Sequence, residues 1–302
     1  MTLKQIADSG RDFNSRELSL DESLTREIQT RLIDLSLLDP PADGDFGPIS
    51  KNALEKFTAL KKLPISDLIG PRIATALLES SVETLFPLNL DNSLASRLVG
   101  YMRAKGFWFS RLPNYLTIAY VEGMNGDGSL NDNTPNFFND RRFLLSFEAN
   151  IPRITGTWEA TTEASAFYTK HPMNPKGAAR IAFGQYKAWR VGIHPRSQGG
   201  SAHEALVQVD DIRVFRDLNQ DFRRTGDAVD IGSSFGVNQH WGFNFPVHDI
   251  GKASAGCLVG RTKDGHREFM KLLKTDPRFT ASQGYKFMAT VIDGQDFKAT
   301  MG

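Results

Sequence analysis

The chain is poor in several of the features that assign proteins to a class at sight. A single cysteine, Cys257, stands among 302 residues, so no internal disulfide can form and thiol pairing gives no clue to compartment. No run of about 18 apolar residues occurs, which predicts no membrane insertion. Neither sign of charge is in excess: 36 Lys and Arg oppose 35 Asp and Glu, with no strongly basic run. The electrostatic footprint of a nucleic-acid binder is therefore missing, and nucleic acid is not an expected partner. The stretch from Met1 to Glu22 is too polar to hold a signal-peptide apolar region. A target outside the cytoplasm would have to be reached by a route this sequence does not show. What is present, with 40% hydrophobic and 24% charged residues, is the composition of a folded soluble protein. Its length suits one small core and one larger one, and a monomer is expected.

From Leu20 onward the apolar positions Leu24, Ile28, Leu32 and Leu35 lie on one helical face, and the pattern stops at Asp39-Pro40-Pro41. The next residues, Ala42-Asp43-Gly44-Asp45-Phe46-Gly47-Pro48, are dense in turn formers. Ser50 is placed to cap a second helix facing inward through Ala53, Phe57 and Leu60. A third begins at Pro71, a favourable first-turn residue, and is expected to bury Ile73, Leu77 and Leu78. Gly44 and Gly47 are read as supplying unusual backbone angles around Phe46. This helix, Asp-Gly-x-Phe-Gly-Pro turn and second helix resemble the peptidoglycan-binding domain type 1 over about residues 17–80. The resemblance implies a three-helix domain at 1–82 with its binding groove near the turn. Ser81 to Asn92 lacks periodicity, so 83–92 is expected to be a linker and 93–302 the second domain.

Within the second domain a short helix is expected from Ser93 to Arg103. Strands are expected at Tyr115–Val121, Arg141–Phe147, Ile154–Ala160, Arg180–Val191, Glu204–Phe215 and Tyr285–Ile292, which are rich in β-branched and aromatic residues. Asp264 to Lys274 reads as a helix, with Phe269, Met270 and Leu273 on one face. The expected fold class is α + β: a small three-helix unit followed by a mainly β sandwich or barrel.

The chemistry concentrates in Asn238-Gln239-His240-Trp241-Gly242 and, after thirteen residues beyond His240, Ser254-Ala255-Gly256-Cys257-Leu258-Val259. A lone cysteine is ordinarily a small buried hydrophobe. As a nucleophile it acts through its thiolate, scarce at neutral pH unless a base such as His240 assists. Gly256 permits a tight bend beside the sulfur, and the amides around Gly256 and Cys257 are candidate donors to an oxyanion. Ser254 is read as orienting a partner or lining the acyl site.

These residues resemble the L,D-transpeptidase family with the YkuD catalytic domain, whose signature is a His, a gap of about fourteen residues, then Ser/Thr-x-Gly-Cys. Trp241 stands where the family commonly has Gly or Ser, Ala255 where it often has His, and Val259 where it usually has Arg, the nearest being Arg261. The match at motif level covers 238–261. The resemblance implies a β-rich catalytic domain in which Cys257 attacks the meso-diaminopimelate–D-Ala bond of a stem peptide in cell-wall peptidoglycan. D-Ala leaves, and the acyl group passes to an amine or to water. Catalytic roles are expected for Cys257, His240, Ser254 and Gly256, and substrate contacts for Trp241, Ala255, Arg261 and His194. The expected site of action is the bacterial cell wall, with no cofactor.

Other constellations compete. His203 and Asp210 share the seven-residue spacing of two zinc ligands in D,D-carboxypeptidases, with His240 or His248 as a distant third and no His-x-His present. Asp217, Asn219 and Asp221 alternate as a calcium loop begins, with Asp227 as a closing ligand, but Phe222 stands where such loops want Gly. The polar stretches Lys170–Arg180 and His194–Gly200 are expected to frame a cleft, with Arg180, Lys187 and Arg196 available to acidic groups. A non-catalytic wall-binding protein is the remaining alternative.

Overall fold

Side chains set the helices of the first eighty-odd residues before any long-range contact is considered. In the computed structural model, which describes residues 1–64, 68–194 and 202–302, α1 (Leu3–Ser9), β1 (Phe13–Asn14), α2 (Ser15–Ser19) and α3 (Glu22–Asp34) come first. Then follow α4 (Pro48–Leu60), β2 (Leu68–Ile69), α5 (Pro71–Glu79) and α6 (Val82–Leu85). Asp21 caps α3 by accepting the Leu24 N–H at 3.0 Å, and Leu24, Ile28 and Leu32 are fully buried along one face. The short helices α1 and α2 add Leu3, Ile6 and Leu18 to the same core, extending it before residue 17. At seven and five residues they are too short for periodicity to reveal.

The turn after α3 is built around buried Gln29, whose Oε1 accepts the Gly44 N–H at 2.8 Å. Its Nε2 donates to Asp43 Oδ1 at 2.6 Å and to Ser50 Oγ at 3.0 Å. Gly44 adopts φ +80°, where a Cβ would also strike Glu22, whereas Gly47 is extended and has no such need. Gly47 is the N-cap of α4 and Pro48 its first residue, so Ser50 sits inside the helix, buried against Gln29, instead of capping it. Leu54 and Ala74 are buried where Leu60 and Leu78 were expected, because those two lie on the open last turns of their helices. The expected linker contains α6, and Phe86 after it is buried in the helical core.

The rest of the chain runs α7 (Leu94–Ala104), β3 (Thr117–Glu122), β4 (Asp140–Glu148), β5 (Ile151–Thr161), α8 (Ala166–Lys170), β6 (Ala178–Ile181) and β7 (Gly184–His194). It continues through β8 (His203–Gln208), β9 (Ile212–Asp217), β10 (Ala228–Gly232), β11 (Gln239–Trp241), β12 (Leu258–Gly260), α9 (Lys263–Leu273), α10 (Pro277–Ala281), β13 (Phe287–Asp293) and α11 (Gly294–Met301). Eight strands close into a barrel in the order β11-β12-β5-β4-β3-β13-β7-β8, and β10-β9-β6 form a separate sheet beside it. Between the sandwich and barrel alternatives, the barrel is what forms. Arg180–Val191 and Glu204–Phe215, each expected as one strand, are each divided between the barrel and the small sheet. Gly184, at φ +150°, starts the first new strand, and Val209–Asp211 interrupts the second. Apolar character continues across both breaks because Ile181 and Ala188, and likewise Leu206 and Ile212, are buried in one core. No helix among the described residues is long and apolar enough to cross a membrane.

Helical core and barrel meet at Asp39, which is fully buried. Its carboxylate takes Lys187 Nζ at 2.9 Å and the Tyr285 hydroxyl at 3.1 Å, with Arg278 at 3.8 Å. Lys187 is thus committed to this junction. Leu112 and Tyr115 join the helical core, and the Tyr115 hydroxyl donates to Asn52 Oδ1 at 3.0 Å. Asp39→Ala would leave two cations facing a buried void, and the expected loss is about 3 kcal/mol in urea-monitored unfolding. A loss below about 1 kcal/mol would show that the junction does not depend on this carboxylate.

Candidate active site

Two short parallel strands carry the residues singled out by the sequence. In the β11–β12 pair His240 lies opposite Val259 and Gln239 opposite Leu258. Side chains alternate across a strand. Gln239 and Leu258 turn into the barrel, where Gln239 Oε1 accepts from the Tyr120 hydroxyl at 3.2 Å and Leu258 joins the core. His240, Cys257 and Val259 therefore share the outer face. There His240 and Cys257 both line a cavity of about 760 Å³, with His194, Ala255 and Gly256.

The bend before β12 is held from below. Fully buried Ser254 shares its one hydroxyl proton between the Glu163 carbonyl at 2.7 Å and the Cys257 carbonyl at 3.0 Å, and accepts the Gly256 N–H at 3.1 Å. Ser165 N–H donates to the Ser254 carbonyl, and Ala164 bridges Ala255. Gly256 sits at φ +118°, and a Cβ there would come within 2.4 Å of the Ala179 carbonyl oxygen, so only glycine fits. Ser254 thus braces the loop and does not line the cavity, and the Gly256 amide is engaged with Ser254.

The Cys257 sulfur accepts the Asn238 N–H at 3.4 Å and donates to the Gly236 carbonyl at 3.4 Å. Burial pushes the thiol up to about 11, against the pull of the Asn238 N–H. His240 donates Nδ1–H to the Trp241 carbonyl at 2.8 Å, because that oxygen can only accept, and Nε2 keeps the lone pair. Burial, together with neighbouring His194, holds His240 well below the ordinary imidazole range, so it is neutral at pH 7. The His194 ring stacks on it with centroids 3.9 Å apart.

Other expected residues lie elsewhere. Trp241 stacks on His203 at 3.6 Å and does not line the cavity. Arg261 pairs with Glu159, also away from the cavity. Arg180 is buried between Glu163 at 3.1 Å and Glu122 at 3.4 Å, so it is not free to meet a ligand. Arg196 lies outside the described residues. The stretch after Lys170 does frame the cavity, through Met173, Asn174, Lys176 and Gly177. Of the zinc pair, His203 accepts the Trp241 N–H at 3.4 Å while Asp210 binds Lys286 at 2.6 Å. The Asp217 carboxylate accepts the Asp221 and Phe222 N–H groups, Asn219 donates to Asp221 at 3.0 Å, and burial, then the charges of Asp217 and Asp221, raise the Asp227 carboxyl beside them. Among the described residues no group of three His, Cys, Asp or Glu is placed to share a cation.

Sequence reasoning missed Asn238 and a buried charge cluster behind the bend. Three carboxylates, Glu122, Asp140 and Glu163, meet two guanidiniums, Arg180 and Arg224. Burial raises Glu122, but Arg224 and Arg180 override it and bring it to about 2. Burial, then repulsion from Glu122 and Glu163, lifts Asp140 to about 8. Burial raises Glu163 to about 7 against the pull of Arg180. These residues are spread over more than a hundred positions, and no local spacing signals them.

Comparison with known proteins adds little. No family model matches the chain, and no curated protein matches it either. Among solved structures, a fused zinc-dependent amidase/peptidase/peptidoglycan-binding domain-containing protein from Clostridium acetobutylicum aligns over 94% of this chain and all of its own. That alignment has 11% identity and a TM-score of 0.31. An L,D-transpeptidase (residues 123–326) from Xylanimonas cellulosilytica aligns over 88% of this chain and 92% of its own, at 14% identity and a TM-score of 0.23. Likenesses this weak carry no argument, and the functional reading rests on the site itself.

Two measurements probe the site's electrostatics. With the thiol near 11, on the order of one Cys257 in ten thousand is ionised at pH 7. Alkylation by iodoacetamide, followed by mass, is expected to accelerate about tenfold per pH unit from 7 to 10, and a plateau near pH 8 would contradict this. Asp140 is held protonated in the fold but ionises above about 4 when unfolded, so its contribution to stability fades as pH rises from 4 to 8. Wild-type protein should accordingly lose stability relative to Asp140→Asn across that window and level off above it. Parallel denaturation curves with no drift between them would show that Asp140 titrates normally.

Proposed function

We propose that this chain is a peptidoglycan-active cysteine acyltransferase of L,D-transpeptidase type. One observation carries the reading: Cys257 and a neutral, tautomer-fixed His240 stand on the same outer face of two paired strands and line one roomy cavity.

The chemistry follows from the resting state. Thiol and imidazole are both neutral, so ionisation accompanies attack instead of preceding it. The thiol proton turns from the Gly236 carbonyl to His240 Nε2 as sulfur adds to the carbonyl carbon of the diaminopimelate–D-Ala bond. The tetrahedral oxyanion collapses, the C–N bond breaks, and the imidazolium returns its proton to the departing D-Ala amine. Cys257 is left as a thioester. An amine from a neighbouring stem, or water, then attacks that carbonyl, gives its proton to His240 and restores the thiol. The Trp241 carbonyl steadies the imidazolium formed in each half-reaction. Lys252 in the cavity wall suits a carboxylate of a stem peptide, whereas Lys176 there is paired with Asp230 at 3.4 Å.

In the same reading residues 1–82 hold the enzyme on the wall. The groove beside the Asp43–Pro48 turn, about 210 Å³, is walled by Ser50 on one side and by Tyr285 and Lys286 from the barrel on the other.

Incubation with purified muropeptides tests the proposal. The expected products are free D-Ala and a mass adduct on Cys257. Cys257→Ser should lower turnover about 1,000-fold or more, and His240→Ala about 100-fold or more. Unchanged turnover in both variants would sink the reading. Turnover abolished by a chelator and restored by zinc would favour a metallopeptidase. Sacculus binding with no turnover in wild type would leave a wall-binding protein.

A further inference from the structure

Asn238 was not singled out by the sequence, yet its two ends are fixed in a way that dictates the protonation of a neighbour. The Gln208 backbone N–H donates to Asn238 Oδ1 at 2.8 Å, so the amide cannot be turned around. Its Nδ2 therefore faces His194 Nδ1, at 2.9 Å. An amide nitrogen only donates, so His194 Nδ1 accepts and the single proton of the neutral ring sits on Nε2. His240 is the converse, with its proton on Nδ1 and Nε2 bare. The rings lie face to face, 10° from parallel, and both line the cavity beside Cys257.

We propose that His194 is a second substrate-contacting group of this site, a neutral imidazole whose Nε2–H donates to an oxygen of the acyl-donor peptide, and that Asn238 is the positioning residue that locks that tautomer. The proposal rests on the acyl-transfer reading of Cys257. His194 is unsuited to be the base, because one nitrogen is occupied by Asn238 and the other already carries hydrogen. It remains neutral through the reaction: burial, and His203 beside it, hold it at about 4, and an imidazolium at His240 would oppose a second charge 3.9 Å away. A neutral donor fixed before substrate arrives needs no reorganisation when negative charge develops on a carbonyl oxygen. The accepting oxygen belongs either to the scissile carbonyl or to the terminal carboxylate, and kinetics separates the two.

The test uses full-length protein labelled with ¹⁵N-histidine, in which long-range ¹H–¹⁵N correlations read each tautomer. Wild type should show His194 protonated at Nε2 and His240 at Nδ1. Asn238→Asp keeps the acceptor for Gln208 but presents His194 with a carboxylate, so the His194 proton should move to Nδ1. Activity on muropeptides should fall about 100-fold, the loss expected for one preorganised donor. A fall in kcat assigns the contact to the scissile carbonyl, and a rise in KM assigns it to the carboxylate. His194→Gln, which restores a donor, should retain at least tenfold more activity than His194→Phe, which keeps only the stack. His194 protonated at Nδ1 in wild type would overturn the proposal. So would His194→Phe and Asn238→Asp turnover within twofold of wild type. Should wild type cleave no muropeptide, the acyl-transfer reading and the substrate contact fail together, while the spectra still decide whether Asn238 sets the tautomer.

Discussion

The parallel pairing of β11 and β12 is the constraint on which the candidate site depends. Three residues on each strand are enough to fix which side chains face out, because the period of two leaves no intermediate choice. Gln239 and Leu258 are anchored in the barrel core, so a slip of one residue would turn His240 into the barrel and Leu258 out of it. The same inward anchors that stabilise the barrel therefore hold His240 and Cys257 on one face of the sheet.

Pairing alone does not present the sulfur. Between the strands the chain makes a wide excursion, and it returns to β12 through a bend that Ser254, fully buried, ties to the carbonyl of Glu163. Gly256 passes close enough to Ala179 that no side chain fits. Behind this bend lies a cluster of three carboxylates and two guanidiniums, one charge short of balance. A retained proton removes the excess at less cost than burying a third anion. The floor of the site is thus polar and tightly tied, while its mouth is lined by imidazoles that burial keeps neutral. That combination favours proton transfer over a standing ion pair.

At the junction between the helices of the first eighty-odd residues and the barrel, the buried carboxylate of Asp39 gathers a lysine, an arginine and a tyrosine. Strength of that kind is directional and depends on all partners being present. It sets the groove at the Asp43–Pro48 turn against barrel residues, so the surface proposed to grip the wall is composite.

Much was legible from the chain alone. Apolar spacing gave the faces of α3 and α5, composition gave the β-rich character of the remainder, and the run from Asn238 to Val259 marked Cys257 and His240, which line one cavity. Such features are local, set by side-chain period and by backbone preference within a few residues. The ends of α4 and α5, the division of two expected strands between sheets, and the committed roles of Lys187, Arg180 and Arg261 were decided elsewhere. The function of Ser254 depends on a partner 91 residues away, and the tautomer of His194 on an amide 44 residues away. A side chain's chemistry is fixed by what it hydrogen-bonds to and how dry its surroundings are. Neither quantity exists until the chain has folded, so the sequence by itself determined which ionisable groups are present, and only the tertiary structure decided their protonation and direction.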